Sequence, residues 1–159
     1  MDLLLQEATL ADAALIAGMT RQAWSGRVAP SSSGHGESEE RVAADLQAGG
    51  GLILMIDEAP AGSVRWLPAD GESAVWEIVR MGILPAWRGR QLSEHLLEAV
   101  IHQAQQSDIA ELRLAVRHDQ PRLLDLYAAY GFELAPELEY AHANPAEPAP
   151  VMMRRVLKR

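Results

Sequence analysis

The stretch MGILPAWRGRQLSEHLLEAVI, residues 81–101, decides how this chain folds. An apolar run ends at Pro85, a basic turn containing Gly89 follows, and apolar residues then recur at helical spacing from residue 91 to 106. Because the amino terminus of a helix presents unpaired N–H groups and a positive dipole end, the turn from Arg88 to Ser93 is predicted to bind phosphate. Taken alone, the same pattern also fits a solvated loop between a strand and a helix.

The segments on either side of this turn predict a parallel pair of strands. Residues 73–85 have the composition of a strand that ends at a proline, and residues 110–116 form a second strand after the helix. Two neighbouring strands joined by a crossover helix run parallel. The other predicted strands lie at residues 2–7, 51–68, 131–140 and 151–158, and the segment 51–68 is a hairpin with its turn at 58–62. The other predicted helices run from Thr9 to Trp24, from residue 38 to the glycines at 49–51, and over 120–130.

We therefore predict one α/β domain over residues 1–159, with a mixed, mostly antiparallel sheet of about seven strands, a splayed parallel central pair and about four helices. With 48% hydrophobic residues in a chain of 159, one buried core is expected. Two segments rich in Gly, Ser or Pro, residues 25–38 and 141–150, are predicted to be loops, and the first would help to set the choice of substrate.

The composition excludes several classes of function. No cysteine is present, which excludes disulfides, thiolate nucleophiles and cysteine-ligated metals, and the five histidines show no spacing typical of a metal site. The formal net charge of −8 argues against nonspecific binding to nucleic acid and favours a neutral or cationic small partner. No apolar segment approaches the roughly 20 residues of a membrane span, and no signal peptide is evident. We expect a cytoplasmic protein without metal, membrane or nucleic-acid partners.

The order of these segments resembles the GNAT superfamily of acyl-CoA-dependent N-acyltransferases. The resemblance covers nearly the whole chain and is carried by the strand MGILP, the turn AWRGRQLS, the helix EHLLEAVI, the strand LRLAV and the segment LLDLYAAYGFE. The family's phosphate turn, Arg/Gln-x-x-Gly-x-Gly/Ala, is matched at Arg88 but not at Gln91 or Ser93. The family pattern Leu-Tyr-x-x-x-Gly-Phe is matched by LYAAYGF, although Gln120 stands where asparagine is common.

The resemblance implies acetyl-CoA as cosubstrate and suggests its path along the chain. The pyrophosphate would bind backbone N–H groups of the turn, and the pantetheine arm would lie against the preceding strand. The implied coenzyme-binding residues are Met81, Ile83, Arg88, Gly89, Arg90, Gln91, Leu92 and Ser93. A side chain at Gln91 is expected to be tolerated, because a helix start does not by itself require a positive φ. Gly82 predicts either a bulge with close backbone approach or simple packing.

Acyl transfer to an amine needs a base for the amine, donors for the oxyanion and an acid for the departing thiolate. The resemblance implies Tyr127 as the acid, with an ordinary core tyrosine as the alternative. Glu77 interrupts an apolar strand where several family members carry a basic glutamate, and the alternative is a solvated strand residue. His118, just after LRLAV, is the reserve base. Without a cysteine or an activated serine, we expect direct attack in a ternary complex.

These features predict an N-acetyltransferase that moves an acetyl group from acetyl-CoA to an amine of a small molecule. Two alternatives stay open: a noncatalytic acyl-CoA-binding sensor or interaction module, and a transferase acting on the N-terminus or a lysine of a protein. Trp24, Trp66 and Trp76 are candidates for an acceptor pocket, with core packing as the alternative. The family and the commonness of twofold assemblies suggest a homodimer.

Overall fold

The computed structural model describes residues 2–25, 33–139 and 148–158. The two predicted loops lie largely outside these ranges, as does His142. The strands are β1 (Leu3–Glu7), β2 (Gly50–Ile56), β3 (Ala59–Ala69), β4 (Glu72–Ile83), β5 (Glu111–Val116), β6 (Glu133–Leu134) and β7 (Val151–Val156). The helices are α1 (Ala13–Trp24), α2 (Glu39–Ala48), α3 (Leu92–Gln106) and α4 (Leu123–Ala129), and short 3-10 turns lie at Leu10–Asp12, Ser33–Gly36 and Pro85–Trp87.

The strands of the described residues form one seven-stranded sheet in the order β1-β2-β3-β4-β5-β7-β6. The central β4–β5 pair is parallel and is joined by α3, and every other pair is antiparallel. The predicted fold class, with its mixed sheet, parallel central pair and four helices, is therefore confirmed.

The parallel pair is joined over only part of its length. Its ladder consists of Val75↔Glu111, Trp76↔Leu112 and Glu77↔Arg113. Beyond the last of these pairs, β4 continues to Ile83 and β5 continues to Val116. Among the described residues no ladder joins these two ends, so the sheet has an opening between its central strands at their carboxyl ends.

The sheet separates two apolar layers. Successive side chains of a strand point to opposite faces, so Leu52, Leu54 and Ile56 of β2 join the larger core around α3, whereas Ile53 joins the smaller core beneath α1 and α2. Tyr127 of α4 belongs to the larger core. We call these two sides the α3 face and the α1/α2 face.

Local sequence accounts for the helix starts on the α1/α2 face. The backbone N–H of Thr9 donates to Asp12 Oδ2 at 2.8 Å, which fixes the turn that leads into α1. The Ser38 hydroxyl oxygen accepts from the backbone N–H of Arg41 at 3.1 Å and caps α2. Helix α2 therefore begins where the sequence predicts, whereas the helix predicted from Thr9 starts as the 3-10 turn Leu10–Asp12 and becomes α-helical only at Ala13.

Two predicted boundaries were wrong. The β2–β3 turn consists of Asp57 and Glu58, whose φ values are 48° and 68°, so β3 already begins at Ala59 rather than after residue 62. Positive φ at both central positions is the geometry of a tight hairpin turn whose twist matches the strands. The strand predicted over residues 131–140 is reduced to β6. Pro136 follows closely, and a proline offers no N–H to extend a ladder.

Candidate active site

The turn before α3 contains two residues in the left-handed region. Gly89 has φ 82°, and Gln91, which precedes the first residue of the helix, has φ 57° and ψ 27°. The expectation that Gln91 needs no positive φ was wrong. The chain has to reverse from the end of β4 onto a helix packed across the same sheet, and this path uses a left-handed residue where the family carries glycine. Gln91 therefore holds a conformation that is unfavourable for a residue with a Cβ.

The first residues of α3 combine an apolar anchor with free backbone donors. Leu92 is buried in the α3-face core beside Leu96, which fixes the helix against the sheet. Gly89, Arg90 and Gln91 are exposed. The first N–H groups of a helix have no intrahelical partner, so they are available to an anion at this point.

The two arginines of the turn already have contacts within the protein. Arg88 donates a hydrogen bond to the backbone carbonyl of Ala23, near the carboxyl end of α1, where a cation is favoured by the helix dipole. The Arg90 guanidinium lies 5.1 Å from the ring centroid of Trp87. Both arginines are therefore held near the turn by contacts within the protein, and the backbone N–H groups of residues 89–93 stay the predicted contacts of the pyrophosphate.

The carboxyl half of β4 contains a bulge. Ser63 pairs with Gly82, but Arg65 pairs with Val79, so Arg80 and Met81 together stand opposite a single residue of β3. Arg80 takes the left-handed conformation, with φ 53°. The bulge predicted from Gly82 therefore lies just before that glycine.

Gly82 itself has a packing role. A Cβ at this position would lie 2.8 Å from Cζ3 of Trp24 and 3.1 Å from Cβ of Ala23. Both Met81 and Ile83 are partly buried against the α3-face core. Because they lie beyond the β4–β5 ladder, the structure brings these two predicted coenzyme contacts to the edge of the opening.

Glu77 lies where the two central strands begin to separate. It occupies the last paired position of β4 and is only 9% exposed, so the alternative of a solvated strand residue is wrong. It contributes to a cleft of about 430 Å³ on the α1/α2 face. The lining residues are Arg41, Ala44, Asp45, Ala48, Leu67, Pro68, Asp70 and Glu77. Three carboxylates and one guanidinium therefore surround this cleft.

Tyr127 lies on the other face of the sheet. Its ring packs edge-on against Phe132, with centroids 5.9 Å apart, inside the α3-face core. Burial disfavours the phenolate and raises the pKa of Tyr127 to about 12. The side chain therefore keeps its proton at neutral pH.

The remaining candidates separate into core and surface residues. Trp66 is buried and stacks on Trp76 at a centroid distance of 5.0 Å on the α3 face, so this pair is core. Trp24 instead contacts β4 at Gly82. His118 is exposed in the turn after β5, and Gln120 is buried two residues later.

Sequence reasoning missed a buried group of charges on the α1/α2 face. Arg65 of β3 is 0% exposed and donates to Asp45 and Glu37, and Glu37 is also 3.3 Å from Nε of Arg80. The signal was present in the sequence, because Arg65 interrupts an otherwise apolar strand just as Glu77 does.

Within residues 2–25, 33–139 and 148–158, no group of three or more histidines and carboxylates has an arrangement that could hold a metal ion. Over the same residues, none of the helices has both the length and the apolar character needed to span a bilayer.

The model of the acetyltransferase (GNAT) family matches residues 20–132, which is more than half of the chain. The chain belongs to the GNAT family. The matched range includes the β4 opening, the turn before α3 and Tyr127. Among curated proteins, no sequence is significantly similar to this one.

Solved structures of other acetyltransferases share the fold of this GNAT chain. A GNAT superfamily phosphinothricin acetyltransferase from Sinorhizobium meliloti, in complex with AcCoA, has a TM-score of 0.79 and 19% sequence identity to this chain. The superposition covers 99% of this chain and 90% of that protein's chain. The ribosomal-protein-S18-alanine N-acetyltransferase from Escherichia coli has a TM-score of 0.78 at 15% identity, with coverages of 99% and 96%. The PaiA N-acetyltransferase from Thermoplasma acidophilum, in complex with coenzyme A, has a TM-score of 0.75 at 15% identity, with coverages of 98% and 99%.

Proposed function

We propose that this GNAT chain transfers an acetyl group from acetyl-CoA to an amine of a small molecule, by direct attack in a ternary complex. The observation that carries the proposal is the position of Glu77 and Tyr127. Glu77 lines the cleft on the α1/α2 face, Tyr127 lies in the core of the α3 face, and β4 and β5 separate just beyond Glu77. A thioester lying in this opening would have a candidate base on one side and a candidate acid on the other.

The coenzyme would approach from the α3 face. Backbone N–H groups of residues 89–93 would bind the pyrophosphate, aided by the positive end of α3. The pantetheine arm would follow the backbone of Met81 and Ile83, which lie beyond the ladder with β5. This path would bring the thioester to the level at which β4 and β5 part, without any step that needs a metal.

The chemistry would then use Glu77 and Tyr127. The amine nitrogen attacks the thioester carbonyl, Glu77 accepts the proton that the amine loses, and a backbone N–H of β4 faces the developing oxyanion. The carbon–sulfur bond breaks as the carbon–nitrogen bond is completed, and Tyr127 donates its proton to the thiolate. Holding the two reactants together supplies much of the rate, because a thioester is already reactive.

The cleft beside Glu77 supports a small cationic acceptor. Its volume of about 430 Å³ suits a small molecule, and because Asp45 is paired with Arg65 and Arg41, the preference for a positive charge rests on Asp70 and Glu77. A neutral amine would react while a second cationic group of the same molecule binds the cleft. This favours a polyamine-like or amino-group-bearing metabolite over a protein chain.

The test is release of free coenzyme A thiol from acetyl-CoA across a panel of small amines, with mass spectrometry of the product. We expect turnover with at least one dicationic amine. Glu77→Gln should reduce it strongly, and Glu72→Gln, an exposed glutamate at the start of the same strand, should not. Coenzyme binding without turnover of any amine or peptide would favour the sensor, and acetylation of peptides alone would favour a protein acceptor.

Three further properties stay predictions. A single acetyltransferase domain over residues 1–159, a homodimer and a cytoplasmic location are proposed from the sequence. Limited proteolysis, light scattering of the purified chain and cell fractionation test them in turn.

A further inference from the structure

The buried charges on the α1/α2 face are built around Arg65. Its side chain is 1% exposed, and Nη1 lies 2.8 Å from Oδ2 of Asp45 while Nη2 donates to Oε1 of Glu37. Nη2 also lies 3.5 Å from the Thr20 hydroxyl. A buried guanidinium is tolerated only with such partners, so the positions of Glu37 and Asp45 are tightly fixed.

Glu37 connects this buried group of charges to β4. Its carboxylate Oε1, already bonded to Arg65, is 3.3 Å from Nε of Arg80, and its backbone carbonyl accepts a hydrogen bond from Arg21 of α1. The Arg80 guanidinium also lies 5.9 Å from the ring centroid of Trp24. Groups on α1 and just before α2 therefore hold the Arg80 side chain from two directions.

Arg80 is also the residue whose backbone forms the bulge. Its φ of 53° is unfavourable for any residue with a Cβ, although a left-handed first residue is one of the geometries that a bulge adopts. The side-chain contacts with Glu37 and Trp24 can offset that cost. Without them, the residue at this position would favour negative φ, which would change the local geometry of the bulge while the pairings on either side keep the extra residue in place.

We propose that Glu37 and Trp24 hold Arg80 in its left-handed conformation and thereby shape the part of β4 that receives the pantetheine arm and the thioester. The proposal rests on the proposed function. Arg80 is a positioning residue, because it acts through the backbone of Met81 and Gly82 rather than by touching the coenzyme. The buried ion cluster thus links the α1/α2 face to the coenzyme site on the same strand.

The bulge matters because it changes which edge of β4 each backbone group faces. One inserted residue shifts the pairing from Arg65↔Val79 to Ser63↔Gly82, so every N–H and C=O beyond it is presented differently from those of a regular strand. No ladder with β5 uses that edge beyond Glu77 among the described residues. The groups that the bulge redirects are therefore the ones available to a ligand in the opening.

The test compares Arg80→Ala with Arg80→Gly. Each removes the side-chain contacts, but glycine adopts positive φ without steric cost and alanine does not. Two ligands are titrated by calorimetry: acetyl-CoA, and adenosine 3′-phosphate 5′-diphosphate, which is coenzyme A without its pantetheine arm. Arg154→Ala, on β7, is the matched control for loss of a strand arginine.

We expect Arg80→Ala to weaken acetyl-CoA binding about tenfold, the factor that corresponds to the middle of the range of the left-handed penalty, and to leave the nucleotide affinity within about twofold of the parent's. Arg80→Gly should recover most of the acetyl-CoA affinity. In an ordinary strand glycine is worse than alanine, so recovery by glycine is a readout that a merely structural role would not produce. A crystal structure of Arg80→Ala should show negative φ at residue 80.

Equal acetyl-CoA affinities for the alanine and glycine variants would overturn the positioning role. Arg80→Ala binding both acetyl-CoA and the nucleotide more weakly by the same factor would also overturn it. Glu37→Gln gives a second check if it folds: it should reduce acetyl-CoA affinity without affecting the nucleotide. If the parent chain binds neither ligand, the proposed function itself is wrong and this role falls with it. If the parent binds both and only the glycine recovery is missing, the proposed function stands and the role of Arg80 is refuted.

Discussion

Replacing Gln91 with glycine should stabilise this protein, although glycine at a helix start usually does not. Gln91 has φ 57° and is exposed, so the substitution removes backbone strain while losing little packing. A left-handed residue with a Cβ costs about 1–2 kcal/mol, and the extra freedom of glycine in the unfolded chain opposes the gain by about 0.5–1 kcal/mol. The expected net stabilisation is about 0.5–1 kcal/mol.

Thermal and urea unfolding of the parent and the variant measure this gain. For a domain of this size, each kcal/mol shifts Tm by about 2–4 °C, so a rise of about 1–4 °C is expected. Gln105→Gly is the control, because Gln105 is an exposed glutamine in the last turn of α3 whose φ is not positive, so glycine there should not stabilise. If both substitutions lowered Tm alike, the left-handed backbone at Gln91 would be refuted. Coenzyme A affinity should change little, since the N–H of residue 91 is kept.

Three further predictions concern the sheet opening. Tyr127→Phe should lower kcat by about a hundredfold or more with little change in KM for acetyl-CoA, and a kcat equal to the parent's would remove Tyr127 from the mechanism. Because burial raises the pKa of Tyr127 from 10.0 to about 12, the stability due to its buried neutral form is complete below pH 10 and is lost as the pH rises through 12; the phenylalanine variant should show a shallower loss in alkaline unfolding. Glu77→Gln should lower turnover and flatten the acidic limb of the pH profile, and if His118→Ala does so instead, the base is His118. Gly82→Ala should destabilise by about 1–3 kcal/mol, since its Cβ would lie 2.8 Å from the Trp24 ring, and an unchanged urea midpoint would contradict that contact.

The position of the candidate site on both faces of the sheet suggests how one strand serves two ligands. Glu77 and Arg80 are three residues apart on β4, and both project to the α1/α2 face, where the acceptor would bind. Met81 and Ile83 contact the α3-face core, where the coenzyme would enter. The bulge lies between these two groups of residues. In the proposed mechanism, a change in the contacts of Arg80 on the α1/α2 face would therefore alter the backbone of β4 on the coenzyme side.

Local sequence determined the order of elements and the family. Apolar spacing and a proline mark the end of β4 and the start of α3, and a strand after that helix makes the central pair parallel. These features depend on residues close together in the chain, so a single sequence carries them. The motif residues from Arg88 to Ser93 and the segment LYAAYGF are likewise continuous, and they were enough to identify the fold and the acyl-CoA chemistry of the GNAT family.

Only the tertiary structure decided the features that depend on distant residues. The left-handed conformations of Gln91 and Arg80 are seen only in the folded chain, and there Arg80 contacts Glu37 and Trp24, which are 43 and 56 positions away in the chain. Glu77 is likewise buried beside residues of α2 and β3 that line the same cleft and are distant from it in the chain. The sequence shows which residues are charged. Which partners stabilise them depends on packing, because a buried charge or an unfavourable φ is stable only when the folded chain brings its partners within reach.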